Sequence, residues 1–151
     1  MRGTRIASRL RGERGQALVE AALITPVVLL IMVGIFEVSR AYQTFQVITN
    51  AAREGARAAV VPGANKVTVE ALVKKYMADG QLSKADTAKV NINQAAPLVV
   101  NGTTVGATLV TVDYPFEFVM LQPVARLVVK DSEAGEALSM RATSLMRNEV
   151  Q

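Results

Sequence analysis

Residues 17–36 form an apolar run in which the one charge is Glu20. Twenty such residues make a helix about 30 Å long, the thickness of a bilayer's hydrocarbon core. Pro26 lies inside the run and lacks the amide that would bond the Ala22 carbonyl, so a kink is expected there, of a kind membrane helices tolerate. The helical pattern outlasts the apolar run. Tyr42, Phe45, Ile48, Ala52, Gly55 and Ala59 recur at spacings of three and four, which marks one face of a helix. Val61, Pro62 and Gly63 then supply a stop. The pattern predicts a single helix over residues 16–61, about 70 Å long, which needs a partner along much of its length.

Past Gly63 the period changes. Residues 68–79 read as a short amphipathic helix with Leu72, Val73, Tyr76 and Met77 on one face and Gly80 as its stop. Residues 89–94 alternate, with Val90 and Ile92 on one side, and Asn101 with Gly102 signals a turn. Residues 103–116 are rich in Thr and Val and read as a strand presenting Val110, Val112 and Tyr114 on one face. Pro115 and Pro123 bracket its end. Residues 118–129 are apolar and fit either a short helix or a loop packed on the sheet. Ala134 and Gly135 make a turn. Residues 136–148 alternate again, with Leu138, Met140, Ala142, Ser144 and Met146 opposite Arg141 and Arg147. The expected fold class is α+β: a long N-terminal transmembrane helix continuing into a small head, residues 62–151, with a three-stranded antiparallel sheet and a short helix. The sheet is expected to bury Phe45, Ile48 and Ala52 under Val110, Val112, Leu138 and Met140. The small residues Ala52, Gly55, Ala56 and Ala59 let another backbone approach closely, either the chain's own sheet or a neighbouring subunit.

Charge changes the picture at one end only. The net charge of +4 is carried by residues 1–15, where five arginines face Glu13, and the rest of the chain is balanced. This basic leader reads as disordered and cytoplasmic, and by the positive-inside rule it places the head outside. No aromatic residues interleave with its arginines, which argues against nucleic acid as a partner. The apolar run is longer than the core of a cleaved secretory signal, and the small-x-small triplet Ser39, Arg40, Ala41 follows the charged Glu37. Glu37 and Arg40 read as interfacial residues at the outer leaflet.

The chain has neither cysteine nor histidine, so disulfides, thiolate and imidazole metal sites, and the usual base or thiol nucleophile are excluded. Asp131 and Glu133 form an acidic pair in a turn, and no loop offers the six or more oxygens that Ca²⁺ needs. The expectation is a protein that is not an enzyme and holds no cofactor. Glu54 and Arg57 can pair along the helix surface, a contact of tenths of a kcal/mol, whereas Arg53 and Arg57 repel unless a carboxylate joins them.

Glu20 carries the functional argument. A carboxylate at bilayer depth is costly and is usually paired and functional. Gly15 precedes Gln16, and Glu20 is the fifth residue after Gly15. One reading is a processing site for a membrane aspartyl peptidase of the prepilin type, with the cut between Gly15 and Gln16. The new ammonium at Gln16 would then pair with Glu20 of a neighbouring subunit and set its register. The other reading is an uncleaved anchor whose Glu20 snorkels to the headgroups.

The run Gln16, Ala17, Leu18, Val19, Glu20, with Pro26 six residues after the glutamate, resembles the N-terminus of the TadE-like pilus assembly family. So does the stretch Ala52, Arg53, Glu54, Gly55, Ala56, Arg57. The similarity covers about residues 14–60. The strand end at Asp113, Tyr114, Pro115, Phe116 and the closing Met146, Arg147, Asn148, Glu149 look like the family's tail. The resemblance implies a minor pilin or pseudopilin of the tight-adherence (Flp, type IV-like) pilus, single-pass in the bacterial inner membrane with a cytoplasmic N-terminus. Its implied partners are a prepilin peptidase, other pilins, inner-membrane pilus assembly proteins and the lipid bilayer. Major Flp pilins are much shorter and often carry an aromatic residue after the glutamate. Here Ala21 follows Glu20 and a large head is present, which argues against the main filament subunit. The alternative is an uncleaved single-pass envelope protein with an extracytoplasmic binding or scaffolding domain.

Overall fold

The computed structural model describes residues 4–128 and 137–148. Its dominant element is α1 (Thr4–Ala59), a helix of 56 residues that continues unbroken through Pro26. At 1.5 Å per residue it is about 84 Å long. It starts well before Gln16, so residues 4–15, which the sequence reading takes as disordered, are helical. The Arg, Leu and Ala of this stretch are strong helix formers, and Gly12 and Gly15, at about 1 kcal/mol each, do not break a helix already extended by the apolar run.

After α1 come α2 (Lys66–Asp79), a short 3-10 turn (Ala85–Thr87), β1 (Lys89–Val100), β2 (Thr103–Phe116), α3 (Leu121–Val128) and β3 (Leu138–Arg147). Asn65 caps α2, its side chain accepting from the Val67 amide at 2.9 Å. The strands form an antiparallel meander in the order β1, β2, β3. Asn101 and Gly102 join β1 to β2 with φ of 50° and 78°, a left-handed pair at the tip of a two-residue hairpin, as the sequence predicts. β1 runs beyond the expected residue 94 because a bulge between Asn93 and Ala96 restores its pairing. Pro97 is tolerated there because β1 is an edge strand. Within the ambiguous segment 118–129, residues 121–128 form α3. The expected turn at Ala134 and Gly135, and the pair Asp131 and Glu133, lie outside the described residues.

One face of the sheet packs on the C-terminal part of α1, with α2 beside it. The core consists of Ile48, Ala51, Ala52, Ala56 and Ala59 from α1, Val69, Val73 and Met77 from α2, and Val110, Val112, Tyr114 and Phe116 from β2, joined by Ala85, Ala88 and Ala142. Gly55 sits where α1 meets both α2 and β2. A Cβ there would overlap the Val73 Cγ2 methyl and touch Val110 Cγ1 at 3.4 Å.

Several aromatic and apolar positions depart from expectation. Phe45 is 46% exposed and Tyr42 65% exposed, so neither belongs to the packed face. The buried stripe next to the apolar run passes instead through Glu37, Thr44, Ile48 and Ala51, with Ala41 partly covered. Phe45 and Tyr42 lie about 80° and 140° round the helix from it. Apolarity misled there because two polar residues on the stripe find partners or shelter inside the head. Tyr76 is likewise exposed while Val69 takes its place in the core. Leu138 is exposed at the start of β3, and the inward face of that strand begins at Met140.

The end of the sheet far from the apolar run is held by a polar cluster. Asn148 accepts from Thr108 Oγ1 at 2.7 Å and donates to the Gln94 carbonyl at 3.2 Å. Gln94, turned by the bulge, donates to the carbonyls of Ala59 and Ala64 and so closes the C-terminal end of α1.

Candidate functional site

Three groups of candidate residues lie along α1. The first is residues 15–20, all helical and all exposed. A Cβ at Gly15 would meet nothing within 4 Å. Glu20 is exposed amid Leu18, Val19, Leu23 and Ile24, each more than half exposed. Among the described residues no group bonds or pairs with its carboxylate. Nearby, Thr25 turns its hydroxyl back onto the Ala21 carbonyl at 2.7 Å, which removes that polar group from the apolar surface. This stretch belongs to a helix long and apolar enough to cross a membrane, none of whose most apolar window is covered by the rest of the chain.

The second group is the stretch Arg53, Glu54, Gly55, Arg57. The structure divides it. Gly55 is buried, with Ala52, Ala56 and Ala59, in the contact with α2 and β2. Arg57 and Glu54 face outward in a two-point ion pair, with Nη2 to Oε1 at 2.8 Å and Nε to Oε2 at 3.1 Å. Hydrogen bonding from Arg57 holds the Glu54 carboxyl below the usual carboxylate range and raises Arg57 in turn. Arg53 reaches Asn50 Oδ1 at 3.5 Å and takes no part in that pair.

The third group is one the sequence reading placed at the outer leaflet and missed as a site. Glu37 is 1% exposed. Its Oε1 accepts from the backbone amides of Val119 at 2.8 Å and Met120 at 2.5 Å, just ahead of α3. Its Oε2 accepts from Arg40 Nη1 at 2.8 Å. Arg40 in turn donates from Nη2 to the Glu117 carbonyl at 3.2 Å and lies over the Phe116 ring, 5.1 Å from its centre. Phe116 and Phe118 meet edge to face at 5.2 Å. A buried carboxylate with both oxygens satisfied by charge-assisted bonds is a strong local tie. It fastens the connection between β2 and β3 to α1 one residue after the apolar run ends. The signal was present in the sequence: Glu37, Ala41, Thr44, Ile48, Ala51 and Gly55 recur at alternating spacings of four and three, which places Glu37 on the packed face.

All three groups fall within one segment that is shared with other proteins. Residues 15–57 match the family of TadE-like proteins. The TadE-like segment begins at Gly15 and ends at Arg57, so it takes in the apolar run, Glu20, Glu37 and the stretch 53–57, and stops short of α2 and the sheet. It points to a membrane protein associated with the tight-adherence pilus. No curated protein and no solved structure matches the chain significantly. Among the described residues no cluster of three or more acidic side chains is positioned to hold a metal ion.

Proposed function

We propose that this protein is a minor pilin or pseudopilin that takes part in assembly of a tight-adherence pilus and is processed by a prepilin peptidase between Gly15 and Gln16. Its role is structural rather than catalytic. The observation that carries this reading is Glu20: an exposed carboxylate without a partner among the described residues, on the apolar surface of α1, five residues after Gly15 and inside the TadE-like segment. Hydrolysis of the peptide bond after Gly15 adds water across it, releases residues 1–15 and leaves an ammonium on Gln16. That ammonium lies about 6 Å along the helix from Glu20 and pairs with the Glu20 carboxylate of a neighbouring subunit. Away from water such a pair strongly penalises a mismatched register. Because α1 is helical through residue 15, the peptidase must unwind it locally, and Gly12 and Gly15 lower that cost.

In this reading the N-terminus is cytoplasmic, the helix is anchored in the inner membrane, and the head stands outside, meeting other pilins and assembly proteins. The test is a pair of variants in a piliated strain. Glu20→Ala should insert into the membrane as well as wild type and abolish pilus assembly, whereas Glu20→Asp should retain part of it. Normal piliation with Glu20→Ala would refute the pairing mechanism and favour an uncleaved envelope protein with the same topology.

A further inference from the structure

The head carries an apolar surface that its own core does not use, and it lies at one level. Val119 is 57% exposed and Met120 46% exposed, and Leu138, which pairs with Phe116 across β2 and β3, is 51% exposed. Val38 on α1 is 67% exposed. These side chains come from three separated parts of the chain. The Glu37 carboxylate bonds the amides of Val119 and Met120 directly, next to Val38, and Leu138 reaches the same end of the head by pairing with Phe116, over which Arg40 lies.

That height is set by the apolar run. If residues 17–36 fill about 30 Å of hydrocarbon, Glu37 stands at the boundary between acyl chains and headgroups. β2 descends antiparallel to α1 towards that boundary. Val110 lies beside Gly55, the Glu117 carbonyl meets Arg40, and Val119 meets Glu37. The two paths agree in length: the 15 helical residues from Gly55 to Arg40 span about 22 Å and the six strand residues from Val110 to Phe116, whose ring lies under Arg40, about 20 Å. Next in the chain, α3 has an amphipathic sequence with an exposed arginine, Arg126. An apolar surface beside a basic group, continuous with a membrane-spanning surface, matches the chemistry of a lipid interface.

We infer that α3 and the residues leading into it form a membrane-surface element: Val119, Met120 and Leu138 enter the headgroup–acyl boundary of the leaflet on the head's side, at a depth fixed by Glu37. The head is therefore seated on the bilayer rather than held above it on a free helix. The inference rests on α1 spanning the membrane and is independent of processing at Gly15.

The absence of cysteine makes the test direct. The full chain is reconstituted in vesicles of phosphatidylcholine and phosphatidylglycerol, with single cysteines at Met120→Cys, Leu138→Cys, Leu30→Cys and Val99→Cys, each labelled with an environment-sensitive fluorophore. Val99 is 67% exposed but lies near the distant hairpin tip, so it controls for mere apolar exposure. Labels at 120 and 138 should be blue-shifted, quenched several-fold by lipid spin-labelled near the headgroup, and weakly quenched by aqueous iodide. The label at 99 should show the reverse. Two positions guard against a local disturbance at either. Iodide quenching at 120 and 138 equal to that at 99, with quenching by acyl-chain spin label kept at 30, overturns this inference alone. Shielding from both quenchers points to a second copy covering the surface and also overturns it. Loss of quenching at 30 by lipid spin-labelled deep in the acyl chain overturns the membrane span and this inference with it.

Discussion

Replacing Glu37 by alanine removes three hydrogen bonds to one carboxylate: those from the Val119 amide, the Met120 amide and Arg40. Bonds to a charged acceptor contribute about 1.5–3 kcal/mol each. The freed amides regain water once the segment opens, so the net local loss is smaller than the sum, about 3 kcal/mol. That corresponds to an increase of about a hundredfold in the local opening equilibrium. Glu37→Gln retains an oxygen able to accept both amides and loses the ion pair with Arg40, which predicts an increase of about tenfold. The assay is hydrogen exchange on the full chain in detergent micelles, read at the amides of Val119 and Met120. The core strand supplies the internal reference. Val110 and Val112 pack on α1 and α2 far along β2 from Glu37, and their exchange should change by less than about twofold in either variant. If Glu37→Ala leaves exchange at Val119 and Met120 as slow as in wild type, the latch does not hold this segment and the reasoning fails.

Gly55→Ala should lower stability although it adds a better helix former. The gain of about 1 kcal/mol in propensity is set against overlap with Val73, a stiff side chain in a closed core, at a typical cost of 1–3 kcal/mol, for a net loss of about 1 kcal/mol. Thermal unfolding should show a drop of a few degrees, and an unchanged or raised midpoint would contradict the packing described. Glu54 should titrate below the normal carboxylate range, because Arg57 favours its charged form. A carboxyl whose pKa is depressed on folding adds stability above its unfolded pKa and loses it as pH falls through the folded value. Side-chain carboxyl NMR should place its midpoint low, and Arg57→Ala should return it to the usual range. Asn148→Ala leaves Thr108 Oγ1 and the Gln94 carbonyl without their partner and should cost about 1–3 kcal/mol, measurable by denaturant unfolding.

The α+β class, the three-stranded sheet and the strand faces were legible because each rests on local periodicity. Val110, Val112 and Tyr114 alternate along β2, and Asn101 with Gly102 is a hairpin signal in itself. The lower part of the packed face of α1 was not legible from apolarity. Tyr42 and Phe45 suggested a face rotated towards them, whereas the true stripe passes through Thr44 and Glu37. Glu37 is acceptable inside because two backbone amides from a segment more than 80 positions away converge on it, a pairing no local pattern announces. The helical state of residues 4–15 was missed for a different reason. Their arginines and glycines indicate solvation, but a helix nucleated by the apolar run extends into them at little further cost. Gly15, Gln16 and Glu20 stood out from spacing alone, and the structure adds that Glu20 has no described partner within its own chain.

The claim at the centre of this account is that residues 1–15 are removed. Intact-mass and N-terminal sequencing of the protein purified from membranes of a strain with an active prepilin peptidase tests it. The account predicts Gln16 as the first residue, and the uncut chain in the same strain lacking the peptidase. A chain that begins at Met1 or Arg2 in both strains would contradict it.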